Sequence, residues 1–447
     1  ATIENILDFE KQYPRCRTIR LEQNYRSTQS ILNAANGVIA NNADRKGKTL
    51  WTANGVGEPI LVYEAYNETE EANFVSGQIL ARSHGQNFKD FAVLYRTNAQ
   101  SNAMEYSFKR NGIPYRIIGG TRYFDRAEVK DMLAYLCVLN NRNDDLRLRR
   151  IVNNPPRGLG GKTMELVERL AQEGGRSLYD VISHSEQYEE LDRPAEKLHS
   201  FAQMLDDCTQ LLDEGMPLTD FYEELLIRTG YAAMLAEKHT EENQTRLENV
   251  HELKSSMISY MGHTESPTLA GFLEEIALYT DIEQYDPSAD AVVMMTMHSA
   301  KGLEFPQVFL VGLEEGLFPG MRAIGEPKEM EEERRLCYVA ITRAKKSLTI
   351  SHARMRMIYG RTASALPSRF LQEIPESCIV KRGGYRPQVQ ESRRESYEKH
   401  ISKSHAYLSS AIRAQAASGA PAPEFNKGDM VMHAAFGKGL VLSVVKM

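Results

Sequence analysis

The stretch NNPPRGLGGKTME, Asn153 to Glu165, ends in the Gly-Lys-Thr triplet that closes a nucleotide-binding phosphate loop. That loop is written G-x-x-x-x-G-K-[ST], so its first glycine would fall at position 156, where this chain has Pro156. Proline offers no backbone N–H to a phosphate. The preceding DDLRLRR is too charged for a buried strand, although its alternation allows an edge strand. We therefore expect no ATP loop here.

A turn between two helices is the alternative for the same stretch. Gly158-Leu159-Gly160 has the G-h-G pattern of a helix–hairpin–helix, whose turn amides and following helix N-terminus hold a DNA phosphate. Lys162 would add positive charge, and Thr163 would cap the second helix. A plain glycine turn between helices explains the spacing equally well.

An aromatic residue and an arginine follow the first strand-like run, TIRL, at residues 18–21. In LEQNYRST, Tyr25 and Arg26 come just before the cap-type residues Ser27 and Thr28 of a predicted helix. Where a strand gives way to a helix, an arginine fork can reach a phosphate and a tyrosine can stack on a base. A surface arginine beside a half-buried tyrosine is the alternative.

Polar residues separate two core strands in VVMMTMHSAKGLEFPQVFLVG, residues 292–312. His298, Lys301 and Glu304 lie in this loop, again where a strand ends, and packing alone does not explain them. A metal site is disfavoured, because no second histidine stands at ligand spacing. His298 or Glu304 could act as a general base, but neither has an evident partner in the sequence.

A further arginine stands in EEERRLCYVAITRAKKSLTI, residues 331–350. The pattern predicts a charged helix from Glu329 to about Lys345, followed by a strand. Arg343, near the helix end, has the arrangement of an arginine finger, which stabilises charge on a transferring phosphoryl group. The alternative is a solvated basic helix end, since two lysines follow.

The elements that must position these residues change character along the chain. Residues 18–120 alternate strand and helix patterns, residues 124–289 are mainly helical, and apolar strands then return. This order predicts an α/β fold in which a parallel-sheet domain is interrupted by a helical inserted domain. The predicted divisions are 1–123 (sheet domain, first segment), 124–289 (helical insertion), 290–376 (sheet domain, second segment), 377–425 (flexible linker) and 426–447 (start of a small β module).

Composition limits the classes of function. The 447 residues carry a net charge of −6, so nucleic-acid contacts must come from local basic patches. No apolar run is long enough to span a bilayer. The five cysteines are scattered, which argues against a zinc or disulfide framework and for a reducing cytoplasm.

Three motifs, taken together, are far more specific than any one of them. QNYRS, TMHSAKGLEF and YVAITRAK, in this order, closely resemble the later motifs of superfamily 1 DNA helicases of the UvrD/PcrA type, nearest the PcrA branch. LYRTNAQS, RAEVKDMLAYL, NPPRGLG and RLENVHEL extend the resemblance over nearly the whole chain.

The resemblance implies the C-terminal half of an ATP-dependent 3′–5′ DNA helicase. That half comprises a second RecA-like domain, a helical accessory domain inserted in it, and part of a Tudor-like module that docks on RNA polymerase in relatives. The first RecA-like domain, with the phosphate loop and the magnesium ligands for ATP, would lie upstream of Ala1. We therefore expect this chain alone to be inactive.

The resemblance also implies roles for the residues at the ATP site. Tyr25 would stack on adenine, Arg26 and Arg343 would touch the γ-phosphate, and Glu304 would contact the ribose.

Other residues would contact DNA. Arg96 and Asn98, in LYRTNAQS, would hold single-stranded DNA, although alone they read equally well as a strand-end turn. His298 would link the ATP site to that strand, and the G-h-G turn with Lys162 and Thr163 would hold duplex DNA at the junction.

Two rival hypotheses remain. A non-enzymatic DNA-binding or partner-docking protein with this fold would not need Arg26, Glu304 and Arg343. The helicase portion of a helicase–nuclease would need a nuclease domain after the linker, where the sequence has KGDMVMHAAFGKGLVLSVV.

Overall fold

The computed structural model describes residues 12, 13, 15, 19, 21–43, 49–280, 290–383, 430–433 and 437–440. The described residues up to 383 belong to one compact unit, and the last two segments belong to a second. The predicted strand at residues 18–21 falls largely outside the described residues, and its described members, Ile19 and Leu21, lie in no regular element.

Helices and strands of the described residues are numbered in chain order. The helices are α1 (Gln29–Ile39), α2 (Glu68–Ser83), α3 (Ser101–Arg110), α4 (Ala127–Asn140), α5 (Asp145–Ile151), α6 (Gly161–Gly174), α7 (Leu178–Ser183), α8 (Asp192–Asp213), α9 (Leu218–Thr229), α10 (Tyr231–Glu237), α11 (Glu241–His263), α12 (Leu269–Thr280), α13 (Pro327–Ile341) and α14 (Arg369–Gln372). The strands are β1 (Ile60–Ala65), β2 (Phe91–Tyr95), β3 (Tyr115–Ile118), β4 (Val292–Thr296), β5 (Phe305–Leu310), β6 (Ala344–Ala353), β7 (Met355–Ile358), β8 (Arg361–Ser364), β9 (Ile379–Gly383), β10 (Met430–His433) and β11 (Gly437–Leu440).

Seven strands form one sheet in the order β3-β4-β2-β5-β6-β1-β9. Every neighbouring pair is parallel. The apolar run FAVLY explains why β2 lies near the centre, since all its residues are buried. Ala92 and Leu94 join the core on one face, and Phe91, Val93 and Tyr95 join the core on the other. The predicted parallel α/β sheet is confirmed.

The helical region enters the sheet domain between β3 and β4, which are adjacent strands of the sheet. Helices α4 to α12 pack around a core of their own, which includes Tyr135, Leu198, Phe221 and Leu253. Because the chain leaves and re-enters at neighbouring strands, the insertion leaves the sheet order undisturbed. The predicted mixture of a sheet domain and a helical insertion is confirmed.

Some element ends differ from the sequence-based predictions. The DDLRLRR stretch forms helix α5, so the possible edge strand was wrong; the Asp144 side chain accepts a hydrogen bond from the Arg147 N–H at the helix start. Helix α13 ends at Ile341, earlier than predicted, because residues from Ala344 onward pair with β5.

The C-terminal predictions fall partly outside the described residues. Strand β9 lies within the range 377–425 assigned to a linker, and residues 384–425 are not described. In the second unit, β10 and β11 form an antiparallel pair.

Candidate functional site

Arg26 lies in a turn that closes onto the start of β6. The Asn24 side-chain oxygen accepts hydrogen bonds from the backbone N–H of Arg26 at 2.8 Å and of Ser27 at 2.9 Å. The Ser27 hydroxyl, which is fully buried, donates to the Ala344 carbonyl at 2.6 Å. These contacts fix the backbone of Arg26 against the sheet and leave its side chain to reach along the sheet edge.

The guanidinium of Arg26 meets a carboxylate and a carbonyl. Its Nε donates to Oε2 of Glu304, and its Nη1 donates to the Thr342 carbonyl at 3.3 Å. Lys345 Nζ lies 2.7 Å from the other oxygen of Glu304. Hydrogen bonds from Lys345 and Arg26 lower the pKa of Glu304, which is 39% exposed. Glu304 is thus a carboxylate shared between two cations.

Arg343 approaches the same place from the end of α13. Its Nε donates to the Val339 carbonyl at 2.9 Å, its Nη1 to the Leu303 carbonyl at 3.0 Å, and its Nη2 to the Thr342 hydroxyl at 3.1 Å. Burial, and then the like charge of Arg26, lower the pKa of Arg343. Such a cation is stabilised by any anion that comes between the two arginines.

The structure therefore brings Arg26, Glu304 and Arg343 together around Thr342, although Arg26 and Glu304 are 278 residues apart. Sequence reasoning missed Lys345 as a member of this cluster. Two lysines after Arg343 suggested a solvated helix end, whereas α13 stops before Arg343 and Lys345 lies in β6.

Tyr25 stands beside this cluster with its ring open to solvent. Its side chain is 79% exposed, and its hydroxyl donates to the Gln23 side-chain oxygen at 2.9 Å. An exposed aromatic ring one residue before Arg26 provides a stacking surface for a planar base.

The sequence-predicted residues divide between the two edges of the sheet. Glu304 and Arg343 directly precede β5 and β6, at what we call the amino edge. His298 follows β4, and Arg96 and Asn98 follow β2, at the carboxyl edge. Glu304 was expected where a strand ends and instead directly precedes β5, whereas Arg343 lies between the helix end and the next strand, as predicted. Because β4 and β5 are parallel with only residues 297–304 between them, this loop crosses from one edge to the other.

The loop after β2 is held by several hydrogen bonds. The Gln100 side-chain oxygen accepts from the backbone N–H groups of Arg96 and Thr97, both at 2.9 Å. The Asn98 carbonyl accepts from Arg126 Nη2 at 3.1 Å. The neighbouring loop after β4 is tied to β2 by the Met297 N–H, which donates to the Tyr95 carbonyl at 2.8 Å.

Arg96 itself is engaged by an acidic residue of α13. Its Nε lies 3.1 Å from both carboxylate oxygens of Glu333, and its Nη2 lies 2.8 Å from Oε1. His298, one residue beyond Met297, is exposed on the loop that crosses the sheet.

The G-h-G turn lies between helices α5 and α6, as predicted for a turn between two helices. Gly158 has φ +72°, a conformation that favours glycine, and Leu159 is buried. The Asn153 side-chain oxygen accepts from the backbone N–H groups of Arg157 at 2.8 Å and of Leu159 at 3.1 Å. The turn is thus rigid, and Gly160 and Gly161 are exposed at its outer side.

The predicted cap at Thr163 was wrong. Gly160 is the N-cap of α6, and its carbonyl accepts from the backbone N–H groups of Thr163 at 3.0 Å and Met164 at 3.2 Å. Thr163 therefore lies inside the first helical turn. Lys162 is exposed at the helix start.

The cluster at the amino edge fits phosphate groups better than it fits a metal ion. Arg26, Lys345 and Arg343 supply cationic donors. Among the described residues, no group of three or more His, Cys, Asp or Glu side chains could hold a metal. In the same part of the chain, no helix combines the length and apolar character that crossing a membrane requires.

The sequence matches a family of helicase domains. The model of the UvrD-like helicase C-terminal domain matches residues 19–355, most of the chain. The chain belongs to this family.

Curated relatives agree with this assignment. The chain is 42% identical over 449 residues to the ATP-dependent DNA helicase PcrA of Staphylococcus aureus strain Mu50, covering 99% of this chain and 60% of that protein. It is 41% identical over 452 residues to the ATP-dependent DNA helicase PcrA of Staphylococcus epidermidis, again with 99% and 60% covered. The chain thus spans about 60% of the length of these relatives.

A solved structure described as the C-terminal domain of a possible DNA helicase from Lactobacillus plantarum WCFS1 aligns with 80% of this chain and 98% of its own. Its 11% identity and TM-score of 0.32 are too low to support any conclusion.

Proposed function

We propose that this chain is the second motor domain, with its helical insertion, of an ATP-dependent DNA helicase that moves 3′ to 5′ in the cytoplasm. Another part of the protein would supply the phosphate loop and the magnesium ligands. One fact supports this division of labour. Gly161-Lys162-Thr163 follows a helix and a turn, so it lacks the strand that a phosphate loop needs.

The observation that carries the proposal is the convergence of Arg26, Glu304 and Arg343 at the amino edge. The like charge of Arg26 lowers the pKa of Arg343, so an anion bound between the two arginines would be favoured. A protein that bound DNA without hydrolysing ATP would not need a pair of arginines at the edge of the sheet opposite its DNA-binding residues.

ATP would supply the phosphoryl group, and this chain's residues would bind and orient it. Arg26 and Arg343 would hold the γ-phosphate and offset its charge during transfer. Glu304, kept ionised by its two cations, would accept hydrogen bonds from the ribose. Tyr25 would stack on the adenine ring.

DNA would lie along the carboxyl edge and on the helical insertion. Arg96, Asn98 and His298 would contact single-stranded DNA, and such contacts are tolerant of sequence and sensitive to salt. The G-h-G turn, with Lys162 and the first turn of α6, would hold a phosphate of the duplex ahead of the junction. The β10–β11 unit would belong to a module that docks on RNA polymerase.

The test is ATP hydrolysis, with and without single-stranded DNA, by the complete protein and by this chain alone. The complete protein should hydrolyse ATP, with stimulation by DNA, and should unwind a duplex that has a 3′ single-stranded tail. This chain alone should bind DNA without hydrolysis. A complete protein that binds DNA without hydrolysing ATP would favour the non-enzymatic alternative, and equal hydrolysis by this chain alone would refute the division of labour.

A further inference from the structure

Glu333 and Arg96 form an ion pair at the carboxyl edge, at the loop predicted to contact single-stranded DNA. The two side chains form three hydrogen bonds, from Nε to both carboxylate oxygens at 3.1 Å and from Nη2 to Oε1 at 2.8 Å. Such fork-to-carboxylate geometry fixes the plane of the guanidinium as well as its position. Neither the family motifs nor the sequence pattern had assigned a role to Glu333.

Glu333 is itself fixed in place. Its side chain is 11% exposed, and its Oε2 also accepts the backbone N–H of Gly320 at 3.1 Å. It belongs to α13, which is packed against the sheet through Cys337, Ala340 and Ile341. The carboxylate is therefore a rigid anchor for Arg96.

Arg96 keeps donors for a ligand. Within the described part of the chain, its Nη1 makes no hydrogen bond, and 27% of the side chain is exposed. An unanchored arginine loses rotamer freedom when it binds a phosphate, and that loss weakens binding. An arginine already held by Glu333 has lost most of that freedom before binding.

We propose that Glu333 is a positioning residue for DNA. It holds the Arg96 guanidinium so that Nη1 meets a backbone phosphate of single-stranded DNA, and it anchors that contact to α13, the helix that leads into Arg343. The inference rests on the proposed function, because it requires a DNA strand at the carboxyl edge. It adds a residue that acts through Arg96 rather than by touching DNA.

The test measures binding of a fluorescent oligo-dT to the complete protein in four forms: wild type, Glu333→Gln, Arg96→Ala and the double variant. Glu333→Gln keeps the size of the side chain but loses the charge that orients Arg96. It should weaken binding about five- to tenfold, the effect of one newly mobile arginine. In the Arg96→Ala background, Glu333→Gln should have no further effect, since the residue through which it acts is gone.

Two controls separate positioning from folding. Glu332→Gln removes the neighbouring carboxylate, which is 62% exposed and pairs with Arg335 instead, and should bind like wild type. Arg96→Ala should also lower the magnitude of the slope of log affinity against log salt by about 0.7, the value for one phosphate contact. If Glu333→Gln does not fold, Glu333→Asp provides the second variant, because it keeps the charge but withdraws the carboxylate from the Arg96 fork; it should weaken binding in the wild-type background and have no effect in the Arg96→Ala background.

The outcomes are distinguishable. The inference is overturned if Glu333→Gln lowers affinity for oligo-dT equally in the wild-type and Arg96→Ala proteins, or lowers it in neither. The proposed function would still stand in both cases. Failure of the wild-type protein to bind single-stranded DNA overturns the proposed function and the inference together.

Discussion

One arginine–glutamate cluster at each edge of the parallel sheet holds its ion pairs in an opposite way. At the amino edge, Glu304 is 39% exposed and is shared between Arg26 and Lys345. At the carboxyl edge, Arg356 is paired with Glu71 and Glu314, whose side chains are 1% and 2% exposed.

The buried cluster is saturated with hydrogen bonds. Glu314 also accepts the Ala353 N–H, and Glu71 accepts the Gly312 N–H and the Ser351 hydroxyl. Together these bonds tie α2, β6 and the loop after β5 into one frame. The same pair of residue types thus serves two purposes: a buried, saturated pair fixes the fold, and a half-exposed pair can exchange its carboxylate for a ligand's anion.

The largest expected loss of stability is in the buried cluster at the carboxyl edge. Glu314→Ala should lower the free energy of unfolding by about 3–5 kcal/mol, because it leaves part of a buried guanidinium without its partner. Glu304→Ala, the matched change at the amino edge, should cost less than about 1 kcal/mol, since that carboxylate is screened by water. Urea unfolding of both variants measures the difference, and equal losses would contradict the distinction between the two edges.

A buried glutamate between the helical insertion and the β7–β8 turn predicts a pH dependence of stability. Glu252 of α11 accepts hydrogen bonds from the Tyr359 N–H, in the β7–β8 turn, at 3.3 Å and from the Ser255 hydroxyl at 3.1 Å. Burial is the main cause that raises the pKa of Glu252 from its usual 4.5 to about 8. Between those values the folded protein binds more protons than the unfolded chain, so the free energy of unfolding should fall as the pH rises.

Glu252→Gln should remove this dependence, because an amide keeps the acceptor without the charge. Thermal unfolding from pH 5 to 8 measures the slope for wild type and variant. Glu242→Gln, an exposed position of the same helix, is the matched control for the loss of a carboxylate. An identical slope in wild type and Glu252→Gln would mean that the carboxyl group titrates normally.

A smaller effect is expected in the G-h-G turn, which lies apart from both edges. Gly158→Ala should cost about 1 kcal/mol of stability, because its φ of +72° disfavours a Cβ, which would also lie 2.7 Å from Lys197 Nζ. Gly160→Val meets no such obstacle, since nothing lies within 4 Å of its Cβ position.

Gly160→Val should therefore cost no more than about 1 kcal/mol of stability, as a poorer N-cap, while weakening binding to a duplex junction more than to single-stranded DNA, because the added methyls stand where a phosphate would dock. Fluorescence anisotropy with the two DNA forms measures this. An equal loss of affinity for the duplex junction and for single-stranded DNA would mean that the turn has a structural role only.

Sequence was sufficient for the sheet and for the residues that stand out by type. VVMMT was predicted to be a core strand because four of its five residues are apolar, and Arg26 and Arg343 were found because arginines beside strands are chemically conspicuous. The assignment of residues to opposite edges was missed, since the β4–β5 loop crosses the sheet only because these two strands run in the same direction.

Partners across long sequence distances were also missed. Glu333 lies 237 residues from Arg96, and Lys345 meets Glu304 only because β6 begins beside β5. Thr163 was mistaken for a cap because a threonine is the more usual cap, whereas here a glycine carbonyl begins the helix. Local pattern does not encode such contacts, which are set by packing.

The central claim is that the arginines of the amino edge act on a phosphoryl group, and one measurement tests it most directly. The DNA-stimulated ATPase of the complete protein is compared for wild type, Arg343→Ala and Lys346→Ala, the last an exposed position in the same segment. Arg343→Ala should lower turnover by about 10³-fold or more, with affinity for single-stranded DNA nearly unchanged, and Lys346→Ala should behave like wild type. Normal turnover in Arg343→Ala would contradict the account.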